Sequence, residues 1–257
     1  MKVLVTGGTG TLGRDLVPLL RGAGHDVQIL TRRTPSAPSA AQGDLTTGAG
    51  LEAAVAGIDT IIHAASATTQ LTQGHAIDVL GTQRLLIAAR QANVRHVVLM
   101  SIVGIDGVPY PYYRTKLAAE AVMLEGTVPW SILRATQFHN LMEYFLGLFS
   151  RFPAFVAIPF RWQFQPVDTR DVARRLVEIA EGPPAGRLPD FGGPQVRDFK
   201  SIAVSWLAAR RVNKRLVNLW LPFKAGRQVA AGHLLCPDHR DGTITFEEYL
   251  ARRYPTS

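Results

Sequence analysis

Short apolar runs rich in Val, Ile and Leu alternate along the first half of the chain with segments whose apolar positions recur at helical spacing. Residues 2–6, 26–31, 60–64 and 96–101 read as strands and 130–134 as extended, while 12–24, 51–56, 75–92 and 111–126 read as helices. A strand that is apolar along its whole length is one buried on both faces. Alternation of such strands with helices implies right-handed crossovers between parallel neighbours. The pattern predicts an α/β fold built on a doubly wound parallel sheet.

The alternation loosens after residue 135. The spacing predicts a helix over 137–151, an irregular aromatic stretch, an amphipathic helix over 169–181, and helices over 199–211, 223–232 and 246–253. Gly182-Pro183-Pro184 and Gly192-Gly193-Pro194 punctuate this region. Residues 34–50, rich in Ser, Ala, Pro and Gly, read as loop, with a short strand end at Gly43-Asp44-Leu45. With no repeat and no long linker, residues 1–257 read as one domain, of which about 136–257 contributes a small C-terminal lobe for a substrate.

Apolar residues make up 47% and charged residues 19%, which leaves enough material for a large core and excludes wholesale disorder. The single cysteine, Cys236, excludes an intrachain disulfide and a CxxC metal or redox site, and no His or acidic pair has zinc-site spacing, so no metal is expected. The most apolar region, 128–160, is broken by Arg134, His139, Asn140, Glu143 and Arg151, short of the ~18 clean apolar residues of a spanning helix. The opening residues turn to glycine at Gly7 without the shape of a signal peptide, and the expectation is a cytoplasmic protein away from the membrane. The net charge of +8 comes from arginines scattered along the chain, apart from Arg210-Arg211 and Lys214-Arg215. No helix-turn-helix or aromatic–basic interleaving accompanies them, so nucleic acid is not an expected partner.

Between the first strand and the first helix stands Gly7-Gly8-Thr9-Gly10-Thr11-Leu12-Gly13, with glycines at GxxGxxG spacing. Gly7 allows a tight turn, Gly10 lets the backbone approach a pyrophosphate, and Gly13 lets helix and strand pack closely. The helix N-terminus behind them offers N–H groups and the positive end of a dipole. The second strand ends in Arg32 and Arg33, with no acid between Leu30 and Pro38. An acid there would select NAD, whereas arginine accommodates a 2′-phosphate, so NADP(H) is the expected cofactor.

Tyr112 and Lys116 are four residues apart at the start of a helix behind Pro111, and so share one face. Ser101 closes the strand before them, at the sheet edge where doubly wound folds bind ligands. A phenol with a pKa near ~10 works poorly as an acid–base group at neutral pH until a neighbouring cation favours the phenolate. Lys116 is placed to supply that charge, and Ser101 to bond a reacting carbonyl oxygen.

With these motifs the chain resembles the short-chain dehydrogenase/reductase superfamily, most of all its atypical NAD(P)H-binding branch, NmrA-like or epimerase/dehydratase-like. The resemblance covers most of residues 1–182, through the glycine loop, Gly43-Asp44-Leu45, His63-Ala64-Ala65, Asp78 ahead of Gly81-Thr82, Ser101, the YxxxK and Leu133-Arg134-Ala135-Thr136. It implies a Rossmann-type domain in which Asp44 and Leu45 flank the adenine. Ala64 and Ala65 pass beside the nicotinamide ribose, Lys116 also binds ribose hydroxyls, and Thr136, Gln137 and Phe138 lie near the nicotinamide. Tyr112 is then the general acid for carbonyl reduction. Asp78 departs from the Asn of well-characterised members. An ionised carboxylate only accepts hydrogen bonds, so Asp78 is a candidate partner of Lys116 and the proton relay is put in question.

Nine aromatic residues, from Phe138 to Phe164, crowd into 27 positions and suggest an apolar pocket with His139 and Asn140 as polar points. The function implied is an NADPH-dependent oxidoreductase acting on a small apolar carbonyl, enone or quinone. The alternatives are an NADP(H)-sensing regulator of the NmrA-like kind and an epimerase or dehydratase that recycles its bound cofactor. A homodimer is the family expectation.

Overall fold

The computed structural model describes residues 1–34, 37, 39–67, 74–221 and 223–255. The chain divides into two compact units. The first comprises Met1–Ser101, Pro111–Arg134 and Val172–Pro189, the second Ile102–Tyr110, Ala135–Asp171 and Asp190–Ser257. The division is thus not one cut near residue 136, because the chain returns to the first unit before it ends in the second.

The first unit follows the apolar pattern closely. In chain order it holds β1 (Lys2–Thr6), α1 (Thr11–Gly22), β2 (Asp26–Thr31), β3 (Ala40–Gln42), α2 (Leu51–Val55) and β4 (Thr60–His63). Then come α3 (Gly81–Gln91), β5 (His96–Ile102), α4 (Pro111–Glu125) and β6 (Trp130–Ala135). The sheet has seven strands in the order β3-β2-β1-β4-β5-β6-β9, β9 being Gly186–Arg187. The pairings β3–β2, β2–β1, β1–β4, β4–β5 and β6–β9 are parallel. This is the Rossmann-type doubly wound sheet, and its order reverses between β1 and β4, where such folds open a ligand crevice. Leu4, Ile61, Val97 and Leu99 of the strands pack with Leu85, Leu86 and Met123 of α3 and α4 into one core. α1 buries Leu12, Leu16, Val17 and Leu20, the helical stripe its sequence spacing predicts.

The local pattern misses three features. The edge strand is Ala40–Gln42 rather than 43–45, and Gly43 N–H closes it against Thr31 O at 2.9 Å. Positions 35, 36 and 38 of that predicted loop lie outside the described residues. The helix expected over 75–92 begins as a π-helical turn, His75–Leu80, whose wider spacing leaves its apolar residues looking helical in sequence. In the second unit, α5 (His139–Phe149) leads to β7 (Phe155–Ile158) and β8 (Gln163–Phe164). α6 (Thr169–Glu181) runs on into the first unit, and β10 (Arg197–Asp198), α7 (Phe199–Ala209), β11 (Arg215–Asn218), α8 (Lys224–Ala230) and α9 (Phe246–Arg253) follow. β7 pairs in parallel with β11 and β8 antiparallel with β10. These strands of two to four residues are held by partners distant in sequence and carry no period of their own.

Candidate active site

At the end of β1 the chain turns with Gly7 at φ 70°, and a Cβ there would come within 2.8 Å of Ala65 N. Gly13 is tighter still, since a Cβ on it would meet Gly7 O at 2.3 Å and Gly8 Cα at 2.5 Å. The loop closes with a 2.9 Å bond from Gly10 N–H to Gly7 O. No side chain caps α1 at Gly10, so its first-turn N–H groups are not covered in that way. Thr9, Gly10 and Thr11 are exposed while Leu12 turns into the core, leaving Leu12 its backbone to offer. A bare backbone cradle at a helix N-terminus, with no room for Cβ atoms behind it, fits a pyrophosphate.

Arg32 and Arg33 stand exposed directly after β2. Asp44 accepts from Thr46 N–H at 2.8 Å and from the Thr46 hydroxyl. These Thr46 bonds hold its carboxyl below the usual range, with the Arg32 and Arg84 charges adding to the effect. Leu45 packs its side chain into the core, and its carbonyl accepts from Arg84 Nη1 at 3.1 Å.

His63 ends β4 fully buried between two threonines, 2.7 Å from Thr6 Oγ1 and 3.0 Å from Thr82 Oγ1. Donor counting fixes its tautomer. The Thr82 hydroxyl donates to Asp78 O at 2.5 Å, so it accepts from His63 Nε2–H. Nδ1 then accepts from the Thr6 hydroxyl, which itself accepts from Ala65 N–H at 3.1 Å. A neutral imidazole thereby ties β1, the Ala64–Ala65 turn and the π-helical turn together, a structural rather than a catalytic duty. Burial, reinforced by the Lys116 charge, pushes its pKa down to about 3. Below the unfolded value of 6.5 the unfolded chain binds this proton and the folded chain does not, so stability is lost as the pH is lowered through that window. The slope from this group is about 1.4 kcal/mol per pH unit. Urea midpoints at pH 7.5, 6.5 and 5.5 should decline below pH 6.5, and a flat profile from 6.5 to 5.5 would refute it.

Tyr112, in the first turn of α4, is 9% exposed, and its hydroxyl lies 2.9 Å from Ser66 Oγ. Ser66 Oγ donates to Asp78 Oδ1 at 2.5 Å, and Asp78 Oδ2 accepts from Ala67 N–H at 3.1 Å. Lys116 Nζ lies 3.8 Å from Asp78 Oδ1 and donates to Met100 O at 2.8 Å. Asp78 thus pairs with Lys116, as its acidic character suggested. Burial pushes Lys116 down against the pull of the Asp78 and Glu120 carboxylates. The phenol of Tyr112 is pushed up rather than down, first by burial and then by the Asp78 charge, while Ser66 works the other way. The Lys116 ammonium expected to favour a phenolate is engaged instead by Asp78 and Met100 O.

Ser101 does not join this cluster. Its hydroxyl donates to Glu120, which also receives Arg134 through two bonds, Nε to Oε1 at 2.8 Å and Nη2 to Oε2 at 2.6 Å. Ser66, which sequence reasoning missed, holds the position beside Tyr112. It sits in a loop with no fixed spacing to YxxxK, and the only signal was its place directly after His63-Ala64-Ala65.

The second unit commits several predicted residues internally. Thr136 Oγ1 accepts from Gly193 N–H at 3.2 Å, and Gln137 Nε2 donates to Leu234 O at 2.9 Å. Phe138 precedes α5, half-buried, and bridges to Val167. His139 is buried, donating from Nε2 to Ile244 O at 3.0 Å and set between Phe246 and Tyr249, so it is not a pocket's polar point. Trp162, Phe164 and Phe149 pack with Phe199, while Tyr144 and Phe152 are exposed. Of the aromatic crowd only Phe164 is fully buried, and most of the others are half-buried. Burial pushes the Cys236 thiol up to about 12. Among the described residues no group of three or more His, Cys, Asp or Glu is arranged to hold a metal, and no helix is long and apolar enough to cross a membrane.

Fold and site together define a Rossmann-type dinucleotide-binding protein. The chain belongs to the NAD(P)H-binding family, whose model matches residues 7–182. It is 28% identical to the 4-hydroxy-2-methyl-3-oxo-4-farnesyl-3,4-dihydroquinoline-1-oxide ketoreductase of Stigmatella aurantiaca, over 100% of this chain and 88% of that one. It is 32% identical to a 3-beta-hydroxysteroid dehydrogenase of Mycolicibacterium neoaurum over 48% of this chain. That match spans 42% of the dehydrogenase, less than half its length. UDP-glucose 4-epimerase of Thermotoga maritima, solved with UDP-glucose, superposes with a TM-score of 0.77 at 16% identity, covering 97% of this chain and 96% of that one. At that identity the likeness concerns the fold alone.

Proposed function

We propose that this chain is an NADP(H)-dependent oxidoreductase that reduces a small apolar carbonyl, enone or quinone, or runs the same reaction in reverse. The observation that carries the reading is a buried phenol, Tyr112, joined through Ser66 to the Asp78–Lys116 pair in a unit of an NAD(P)H-binding family. In this reading the backbone of Gly7, Thr9, Gly10, Thr11, Leu12 and Gly13 holds the pyrophosphate. Arg32 and Arg33 meet a 2′-phosphate, and Asp44 and the Leu45 backbone lie on the adenine side. Ala64 and Ala65 flank the ribose with Lys116, and the roles of Thr136, Gln137 and Phe138 rest on resemblance alone. When bound, the dinucleotide supplies or accepts the hydride. Tyr112 gives its proton to the carbonyl oxygen, and a phenol pushed up by burial holds that proton at neutral pH, the state an acid needs. An apolar substrate is supported by the full-length ketoreductase relative, whose named substrate carries a farnesyl group.

The test is NADPH oxidation over a panel of ketones, enones and quinones, wild type beside Tyr112→Phe, with dinucleotide affinity measured by fluorescence. Tyr112→Phe should lower kcat by about 10²–10⁴-fold and leave NADPH affinity within twofold. NADPH should bind at least tenfold more tightly than NADH, and Arg32→Glu should erase that preference. Full turnover in Tyr112→Phe would remove the acid. Equal affinity for the two dinucleotides would remove the NADP assignment, and tight binding with no turnover on the panel would favour a sensor.

A further inference from the structure

Two serines were available to work with Tyr112, and their hydrogen bonds separate them. Ser101 is 1% exposed and its one proton goes to Glu120. Ser66 is half-buried and touches both the phenol and Asp78. Donor counting gives the direction of that chain. An ionised carboxylate has no proton to give, so Ser66 donates to Asp78 Oδ1, and its oxygen then accepts the proton of Tyr112. Ala67 N–H on Oδ2 and the Lys116 ammonium on the Oδ1 side present donors to Asp78, so its oxygens act as acceptors here.

We propose that Ser66, not Ser101, is the positioning residue of the Tyr112 chemistry, with Asp78 orienting its hydroxyl so that the phenol is kept protonated and aimed until a substrate oxygen takes the proton. The proposal rests on the oxidoreductase reading above. Before reaction the Tyr112 O–H bond points at Ser66. A carbonyl oxygen that arrives beside the phenol replaces Ser66 as acceptor. As the oxygen gains electron density, the Tyr112 O–H bond breaks and the substrate O–H bond forms. Ser66 then turns its proton from Asp78 to the phenolate, a rotation that forms and breaks no covalent bond. The phenolate regains a proton from solvent before the next turnover. Asp78 gives up no proton at any point, so a carboxylate in this position is compatible with turnover.

Among the described residues, Ser66 and Asp78 face Tyr112, with Tyr113 beside it. A double-mutant cycle reads the coupling, with the fastest carbonyl of the panel as probe. Ser66→Ala should lower kcat by about 10–100-fold with KM and NADPH affinity little changed, and Ser66→Thr, which keeps the hydroxyl, should recover most of the loss. Ser66→Ala combined with Tyr112→Phe should be no slower than Tyr112→Phe alone, because Ser66 acts through the phenol. Losses that multiply would overturn the role of Ser66 while leaving the acid in place. A Tyr112→Phe enzyme at full rate would take down the oxidoreductase chemistry instead.

A second measurement needs no substrate. The ultraviolet titration of Tyr112, isolated by subtracting Tyr112→Phe, should move to lower pH in Asp78→Asn. That change removes the neighbouring charge and frees the Ser66 proton for the phenolate. Adding Ser66→Ala to Asp78→Asn should move the titration back up. An Asp78→Asn titration unchanged from wild type, or one insensitive to Ser66→Ala, overturns the proposal.

Discussion

Gly13→Ala is expected to raise the NADPH Kd by at least about 100-fold and to destabilise the chain by about 2–3 kcal/mol, the upper range for forcing atoms into filled space. A Cβ at Gly13 would lie 2.3 Å from Gly7 O and 2.5 Å from Gly8 C. Those neighbours are backbone, and they cannot rotate away as a side chain would. Gly7 is itself fixed by its φ of 70° and by the approach of Ala64 and Ala65. Gly8 is backed by Ile29 of β2, whose Cγ2 lies 2.8 Å from where a Cβ would stand. With the loop held from two sides, α1 must move out, and the geometry between its first-turn N–H groups and the loop is lost. Gly22→Ala in the last turn of the same helix is the control, since nothing lies within 4 Å of its Cβ position. That change should be neutral or stabilising by up to about 1 kcal/mol. Urea unfolding and a fluorescence titration of both variants decide the matter. Wild-type affinity in Gly13→Ala would mean that the cradle is not where the dinucleotide binds.

The features legible in sequence share a physical character. β1 and β4 were readable because strands buried on both faces carry apolar runs, and the bounds of α6 and α9 because their stripes end at clear breaks. Gly7 and Gly13 were readable because only glycine satisfies a left-handed turn and a sub-van-der-Waals approach. Tyr112, Lys116 and Asp78, singled out by a four-residue helical spacing and by the motif around Gly81-Thr82, lie close together, joined by the Lys116–Asp78 pair and through Ser66. What sequence did not give is which oxygen faces which donor. Ser101 stands at the end of β5 as read, yet its hydroxyl turns to Glu120, while Ser66 reaches Tyr112 from a loop. A one-proton hydroxyl chooses among acceptors by ångströms, and no periodicity records that choice. Composition in the aromatic crowd after residue 137 suits a pocket wall and a packed core equally. There Trp162 stacks on Phe199, while Phe164 meets both rings edge-on.

Breaking the Glu120–Arg134 pair is expected to have the larger effect on stability. Arg134 is 2% exposed and meets Glu120 with two parallel bonds, and Ser101 adds a third donor to the same carboxylate. One helical turn away from Glu120, Lys116 pairs with Asp78, so two cations and two anions lie buried as a neutral quartet. Arg134→Met removes one cation, leaves a carboxylate in low dielectric and should cost about 3–5 kcal/mol. For a chain of this size that corresponds to a fall in Tm of about 10 °C. Arg134→Met with Glu120→Leu should cost clearly less than Arg134→Met alone. The pair then leaves together and no carboxylate is left buried without its cation, at the cost of the Ser101 hydroxyl's acceptor. Thermal unfolding of the two variants separates the explanations. A double variant as unstable as the sum of its parts would mean that shape and packing, rather than charge compensation, hold this part of the core. The quartet also ties stability to chemistry. Glu120 sits four residues after Lys116 on α4 and favours its charged form against burial. Glu120→Gln should therefore weaken the Lys116–Asp78 pairing that orients Ser66, and lower turnover even where the fold survives.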